Sequence, residues 1–156
     1  LYSSAASDVY KRQLPAGKVF QAGTLSGNPV ATASGSATLK LLRDDPPYDR
    51  LESLSSRLRD GLAAAATAAG IPVTVQRVGS MMTPFFQQDA VVDWPSAARS
   101  DTVAYARFFW GMIERGIYLP CSQFEALFVS AAHRDEDIAM TVDAASATLQ
   151  AMANER

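Results

Sequence analysis

The sequence predicts an α+β fold, and three observations predict it. Apolar residues recur with helical spacing in four stretches, a short alternating hairpin interrupts them near the middle, and glycine or proline marks most of the boundaries. Helices that interleave with antiparallel strands give a mixed architecture around one core. At 156 residues the chain has the size of about one domain, and with 48% apolar and 19% charged residues its composition is globular. A formal net charge of −2 offers no footprint for a polyanion, so nucleic acid is not an expected partner. No apolar run approaches a membrane span and no secretory leader opens the sequence. The expectation is a cytoplasmic protein without a membrane partner.

Residues Leu1 to Gln13 (LYSSAASDVYKRQ) carry no hydrophobic period and read as a non-native, adapter-like leader, poorly ordered and outside the fold. The first helix is expected from Pro29 to Arg43, with Val30, Ala33, Ala37 and Leu41 on one small, smooth face. Ser34, Gly35 and Ser36 lower its intrinsic stability, so it should depend on packing against something else. Asp44 and Asp45 followed by Pro46 and Pro47 stop that helix and start the next, aspartate as cap and proline in the first turn. The second helix has the cleanest stripe, Leu51, Leu54, Leu58, Leu62 and Ala65, and ends at Gly70 and Pro72.

A strand pair follows, Val73 to Val78 and Met81 to Gln87 about a Gly79-Ser80 turn. The segment around Asp93-Trp94-Pro95 reads as a loop. A third helix is expected near Ser100 to Arg115, with Tyr105, Phe108, Phe109, Met112 and Ile113 inward and Gly116 closing it. Ile117 to Leu119 and Leu127 to Val129 read as short strands flanking the loop from Pro120 to Ala126. The last helix starts near Asp135, its acidic trio Asp135, Glu136 and Asp137 favouring the dipole as a solvated helix start. Its stripe is Ile138, Val142, Ala145, Leu149 and Met152.

One stretch suits a task other than filling a core: Val19-Phe20-Gln21-Ala22-Gly23-Thr24-Leu25-Ser26-Gly27-Asn28-Pro29. Its two glycines free the backbone, Thr24 and Ser26 offer hydroxyl donors, and a helix follows with Asn28 as cap and Pro29 at its first position. Exposed N–H groups beside the positive end of a helix dipole form an anion cradle, and phosphate is the expected guest. Taken alone, the same residues also make a plain tight loop and helix cap.

Val19 to Pro29 resembles the phosphate loop of the glutamate-1-semialdehyde 2,1-aminomutases, a branch of the class-III pyridoxal-phosphate aminotransferases of fold type I. A second stretch is similar to the same family in the same order: Phe108 to Met112, Glu114 to Leu119, Ser122-Gln123-Phe124-Glu125-Ala126, and Ala132 to Ile138. The resemblance runs from about Leu14 to the C-terminus and covers the last third or so of a family member. It implies a C-terminal small domain at residues 46–156, preceded at 14–45 by the last loop and helix of the cofactor-binding large domain. The implied activity is the interconversion of (S)-4-amino-5-oxopentanoate and 5-aminolevulinate, an intramolecular amino transfer in porphyrin biosynthesis.

The same resemblance assigns roles residue by residue. Gly23 and Thr24 match the loop that reaches the pyridoxal 5'-phosphate of the neighbouring subunit in the family's homodimer, and Glu125 matches an acidic residue at the active-site mouth that faces the amino groups of a small-molecule substrate. Without the match, Glu125 reads as an ordinary loop carboxylate. The family's Schiff-base lysine sits in a Lys-Ile-Ile-Gly-Gly-Gly context, and none of Lys11, Lys18 and Lys40 does, so the chain alone is expected to be inactive. Two departures stand beside Glu125: Cys121 where the family has proline, and Leu127 where it usually has glycine. As the single cysteine, Cys121 can form neither an internal disulfide nor a thiolate metal cluster; no metal is expected. It reads as a small buried apolar residue, and His133 as a structural or capping residue, rather than as a nucleophile and its base. Two alternatives remain: a class-III aminotransferase acting on ornithine, 4-aminobutyrate or another ω-amino acid, and a non-catalytic module whose first helix docks on a partner.

Overall fold

The computed structural model describes residue 12, residues 17–18 and residues 23–155. Apart from Arg12, the expected leader lies outside the described residues, as do Val19 to Ala22 of the glycine-rich stretch. The chain divides into two compact units, Leu1–Pro46 and Pro47–Arg156.

In the first unit, helix α1 spans Pro29–Asp44 and buries none of its residues. The expected stripe is present in the sequence but open in the structure, with Val30 and Leu41 both exposed. Asn28 caps the helix, its Oδ1 accepting from the N–H groups of Val30 at 3.0 Å and Ala31 at 3.1 Å. Such a cap contributes about 1 kcal/mol.

In the second unit, helix α2 (Tyr48–Ala69) presents Leu54, Leu58, Leu62 and Ala65 to the core as its spacing predicts. Its N-cap is Pro47 and no aspartate side chain caps it, because the two prolines move the first turn beyond the reach of Asp44 and Asp45. Gly70 ends it at φ 65°. Strands β1 (Thr74–Val78) and β2 (Met81–Phe85) form the hairpin, and β3 (Leu127–Phe128) adds a third antiparallel strand beside β2. Met81 pairs with Phe128 and Met82 with Leu127. After the hairpin a short helix α3 (Trp94–Ala97) replaces the expected loop; Asp93 accepts from the Ser96 N–H at 2.8 Å in a capping box with Pro95 in the first turn. Helix α4 (Thr102–Glu114) buries Tyr105, Phe108, Phe109 and Met112, and helix α5 (Asp135–Asn154) buries Ile138, Ala145, Leu149 and Met152.

Ile117 to Leu119 form no strand, contrary to the sequence expectation. The Ile117 N–H closes the end of α4 by donating to the Met112 carbonyl at 2.9 Å, with Gly116 at φ 79°, and Pro120 has no N–H to offer a ladder. Strand β2 also stops two residues before its expected end, where the Gln87 N–H turns back onto the Phe85 carbonyl at 2.8 Å.

Helix α5 is the central helix, packed against both α2 and α4. At each crossing a glycine admits it: a Cβ on Gly61 would lie 2.4 Å from Val142 Cγ2, and one on Gly111 would lie 2.5 Å from Thr148 Cγ2. Val142 cannot rotate clear, since its Cβ too would be only 3.2 Å away. We expect Gly61→Ala to destabilise the chain by roughly 1–2 kcal/mol, overpacking of about 1–3 kcal/mol outweighing the helix-propensity gain. Adding Val142→Ala should recover part of that loss. Urea unfolding midpoints of the two variants check both statements.

Candidate functional site

Gly23 and Thr24 open a tight turn in the first unit. The Ser26 N–H donates to the Gly23 carbonyl at 3.0 Å, and the Asn28 N–H to the Leu25 carbonyl at 3.0 Å. Gly27 sits at φ 76°, where glycine is favoured, while a Cβ at position 23 would meet Ser26 Oγ at 2.7 Å and oblige that hydroxyl to rotate away. Residues 23 to 27 are all exposed. Among the described residues no hydrogen bond uses the N–H of Thr24 or Leu25, or the Thr24 hydroxyl. Among the described residues, then, these donors are without a partner and could turn to an anion. The helix that follows contributes less than its position suggests, because Asn28 already holds the Val30 and Ala31 N–H groups and Pro29 has none. What α1 can still offer is the positive end of its dipole.

Glu125 lies in the second unit, on the loop between α4 and β3. The loop closes on itself: the Glu125 N–H donates to the Ser122 carbonyl at 3.2 Å, the Phe124 N–H donates to Ser122 Oγ at 3.2 Å, and the Glu125 carboxylate accepts from the Ser122 N–H at 3.4 Å. Two side chains fasten it to strand β2. Thr83 Oγ1 donates to the Glu125 carbonyl at 3.2 Å, and Gln123, 3% exposed, uses both ends of its amide. Its Nε2 donates to the Pro84 carbonyl at 2.9 Å while its Oε1 accepts from the Phe86 N–H at 3.2 Å. Phe124 packs against Trp94 of α3 with ring centroids 5.0 Å apart and the planes tilted by 59°. Glu125 itself is exposed, its carboxylate available to a cationic group.

Tyr105 supports the loop from below by donating its hydroxyl proton to the Pro120 carbonyl. Burial, with the nearby charges of Cys121 and Glu125, pushes the Tyr105 phenol up to about 12. A groove of about 490 Å³ borders the loop, walled by Tyr118, Pro120, Ala126, Phe128, His133 and Met140. His133 is a loop fastener: its Nδ1 accepts from the Ser130 N–H at 3.0 Å, and Arg50 donates to its carbonyl at 2.8 Å. Cys121 is exposed, not buried as expected, because the irregular backbone after Pro120 turns it away from the core. At the start of α5, Asp137 accepts from the Arg134 N–H at 2.8 Å, and that bond with the Arg134 guanidinium holds its carboxyl below the usual range. Among the described residues no group of three His, Cys, Asp or Glu side chains is placed to hold a metal ion, and no helix is long and apolar enough to cross a membrane.

Gly23 and Thr24 therefore share one turn, and Glu125 belongs to the other unit. Read from sequence, neither Gln123 nor Trp94 had a role at the site. A glutamine inside a polar loop carries no periodic signal, whereas Asp93-Trp94-Pro95-Ser96 does spell a helix start.

No family model matches the chain. The glutamate-1-semialdehyde 2,1-aminomutase of Rhodopirellula baltica is 55% identical over 146 residues, covering 94% of this chain and 33% of that protein. Further curated relatives of that name are 47–54% identical, and the chain spans about a third of the length of the relatives it matches. Among solved structures, a transaminase with PLP bound is 26% identical at a TM-score of 0.71, over 91% of this chain and 32% of that one. A glutamate-1-semialdehyde-aminomutase from Pseudomonas aeruginosa in complex with PMP gives a TM-score of 0.75 at 22% identity, over 94% of this chain and 34% of that one. The sequence resemblance is thus to the aminomutases across nearly the whole chain, and the α+β fold is that of a portion of the fold type I, PLP-dependent aminotransferases.

The raised Tyr105 pKa carries a prediction. Its protonated form is favoured by folding, so its stabilising contribution is complete below the unfolded value near 10 and disappears as pH rises through about 12. Across that window the chain should lose about 2–3 kcal/mol, and Tyr105→Phe should show a correspondingly flatter alkaline profile in urea unfolding at pH 9 and 11.

Proposed function

We propose that this chain is the C-terminal part of a glutamate-1-semialdehyde 2,1-aminomutase, a PLP-dependent enzyme of porphyrin biosynthesis that isomerises (S)-4-amino-5-oxopentanoate to 5-aminolevulinate. The observation that carries this reading is the 55% identity to an aminomutase over 94% of the chain. In this reading the parent enzyme is a cytoplasmic homodimer with a small-molecule substrate.

The residues present fit part of a site for pyridoxal phosphate. The turn at Gly23 and Thr24 is exposed and offers N–H groups and a hydroxyl, the donor set a phosphate dianion takes, on a path that turns through Gly27 at φ 76°. When bound, the cofactor supplies a carbonyl carbon and an electron sink for amino transfer. The chain's own contribution is binding and orientation. Thr24 donates to the phosphate, and the Gly23 turn keeps that hydroxyl at the surface, where it serves the cofactor of the neighbouring subunit. Glu125 accepts hydrogen bonds from the substrate's ammonium group and holds it at the mouth of the site. The proton transfers need the family's lysine, and none of Lys11, Lys18 and Lys40 has its context. The 156-residue chain alone is accordingly expected to form no aminolevulinate.

A class-III aminotransferase is the second reading, supported by the 26% identity to a PLP-bound transaminase. The two differ in their need for a partner substrate. The complete enzyme should form 5-aminolevulinate with no added amino acceptor; a strict requirement for an added 2-oxo acid would reverse the assignment. Thr24→Val in that enzyme removes one hydrogen bond to a charged group, about 1.5–3 kcal/mol, so cofactor retention on dialysis should weaken roughly tenfold or more. Unchanged retention would instead support a non-catalytic role for the turn.

A further inference from the structure

The loop that carries Glu125 should, by register, have been a strand. Strand β3 pairs Met81 with Phe128 and Met82 with Leu127, so continuing the same antiparallel register sets Glu125 opposite Pro84 and Gln123 opposite Phe86. Side chains alternate along a strand. Met82 and Pro84 are buried, Leu127 packs against the core, and Met81 and Phe128 face outward. A regular continuation would therefore turn Glu125 to the same inward face as Leu127 and bury its carboxylate among apolar groups, which is unfavourable.

Pro84 prevents that continuation, having no N–H to give the ladder. The backbone groups left over on β2 are taken up by a side chain instead. Gln123 presents the donor and acceptor of an amide, the same pair a strand would present, and satisfies the Pro84 carbonyl and the Phe86 N–H from a buried position. Residues between Gln123 and Leu127 are thereby freed to leave the sheet, and the Glu125 carbonyl, unpaired with Pro84, accepts from Thr83 Oγ1. Glu125 emerges exposed.

We propose that Gln123 is the positioning residue for Glu125: its amide stands in for the missing strand and keeps the carboxylate on the outer side of the sheet, facing substrate. This rests on the reading of Glu125 as a substrate contact. The test is a double-substitution cycle in the complete enzyme, measuring KM and kcat for the amino-acid substrate with Gln123→Met, Glu125→Gln and the pair. Each single variant should raise KM roughly tenfold or more with a smaller change in kcat, and the pair should be no worse than the more affected single. If Gln123→Met costs the same factor in the Glu125→Gln background as in the native one, Gln123 does not act through Glu125 and the proposal is overturned. If Glu125→Gln leaves the kinetics unaltered, the substrate contact itself falls, and the positioning role with it. Should Gln123→Met fail to fold, Gln123→Asn decides by the same cycle, since its amide is one methylene too short to reach both Pro84 and Phe86.

Discussion

Helix α5 can lie against two helices at once only because each neighbour gives up a side chain where the axes come closest. Val142 occupies the space at Gly61 of α2, and Thr148 occupies that at Gly111 of α4. Close approach brings the leucines of α2, the aromatic face of α4 and the stripe of α5 into a single apolar cluster that also takes in Met82 and Phe86 from the hairpin. Phe86 contacts Tyr105 and Phe108 with ring centroids 5.8 and 5.4 Å away, so the sheet is tied to α4 through aromatic edges. Everything that positions the Glu125 loop, from the Tyr105 hydroxyl to strand β2, is mounted on that cluster.

Helical period made most of this legible beforehand. Leu54, Leu58 and Leu62, the inward face from Tyr105 to Met112, and Ile138, Ala145 and Leu149 all read from spacing and all are buried. The Gly79-Ser80 turn likewise announced its hairpin. Misreadings came where backbone hydrogen bonding rather than hydrophobicity decides. Ile117 to Leu119 are as apolar as a strand, but the end of α4 uses the Ile117 N–H first. Asp44 and Asp45 look like caps and are displaced by two prolines. Cys121 has the composition of a core residue and sits on an irregular, exposed segment.

The site shows the same division. Asn28 was recognisable as a cap, and the structure gives that cap a chemical cost: it claims the helix N–H groups that an anion would otherwise use, leaving the turn at Thr24 to supply the donors. Glu125 was visible only through resemblance, since a lone carboxylate in a loop has no pattern. The part Gln123 plays was not legible, because it depends on a proline thirty-nine residues earlier in the chain that withholds one hydrogen.

A sheet edge with unused N–H and C=O groups invites other chains to add a strand, and proteins blunt such edges to stay apart. On β2 beyond Met82 the proline has removed one of those groups, and a glutamine from the same chain has occupied two others. That flank is closed to a foreign β-segment. Swapping Pro84 and Gln123 for ordinary strand formers would do more than bury a carboxylate; it would lengthen β3 and make its free side an unblunted border on which copies of the protein could aggregate.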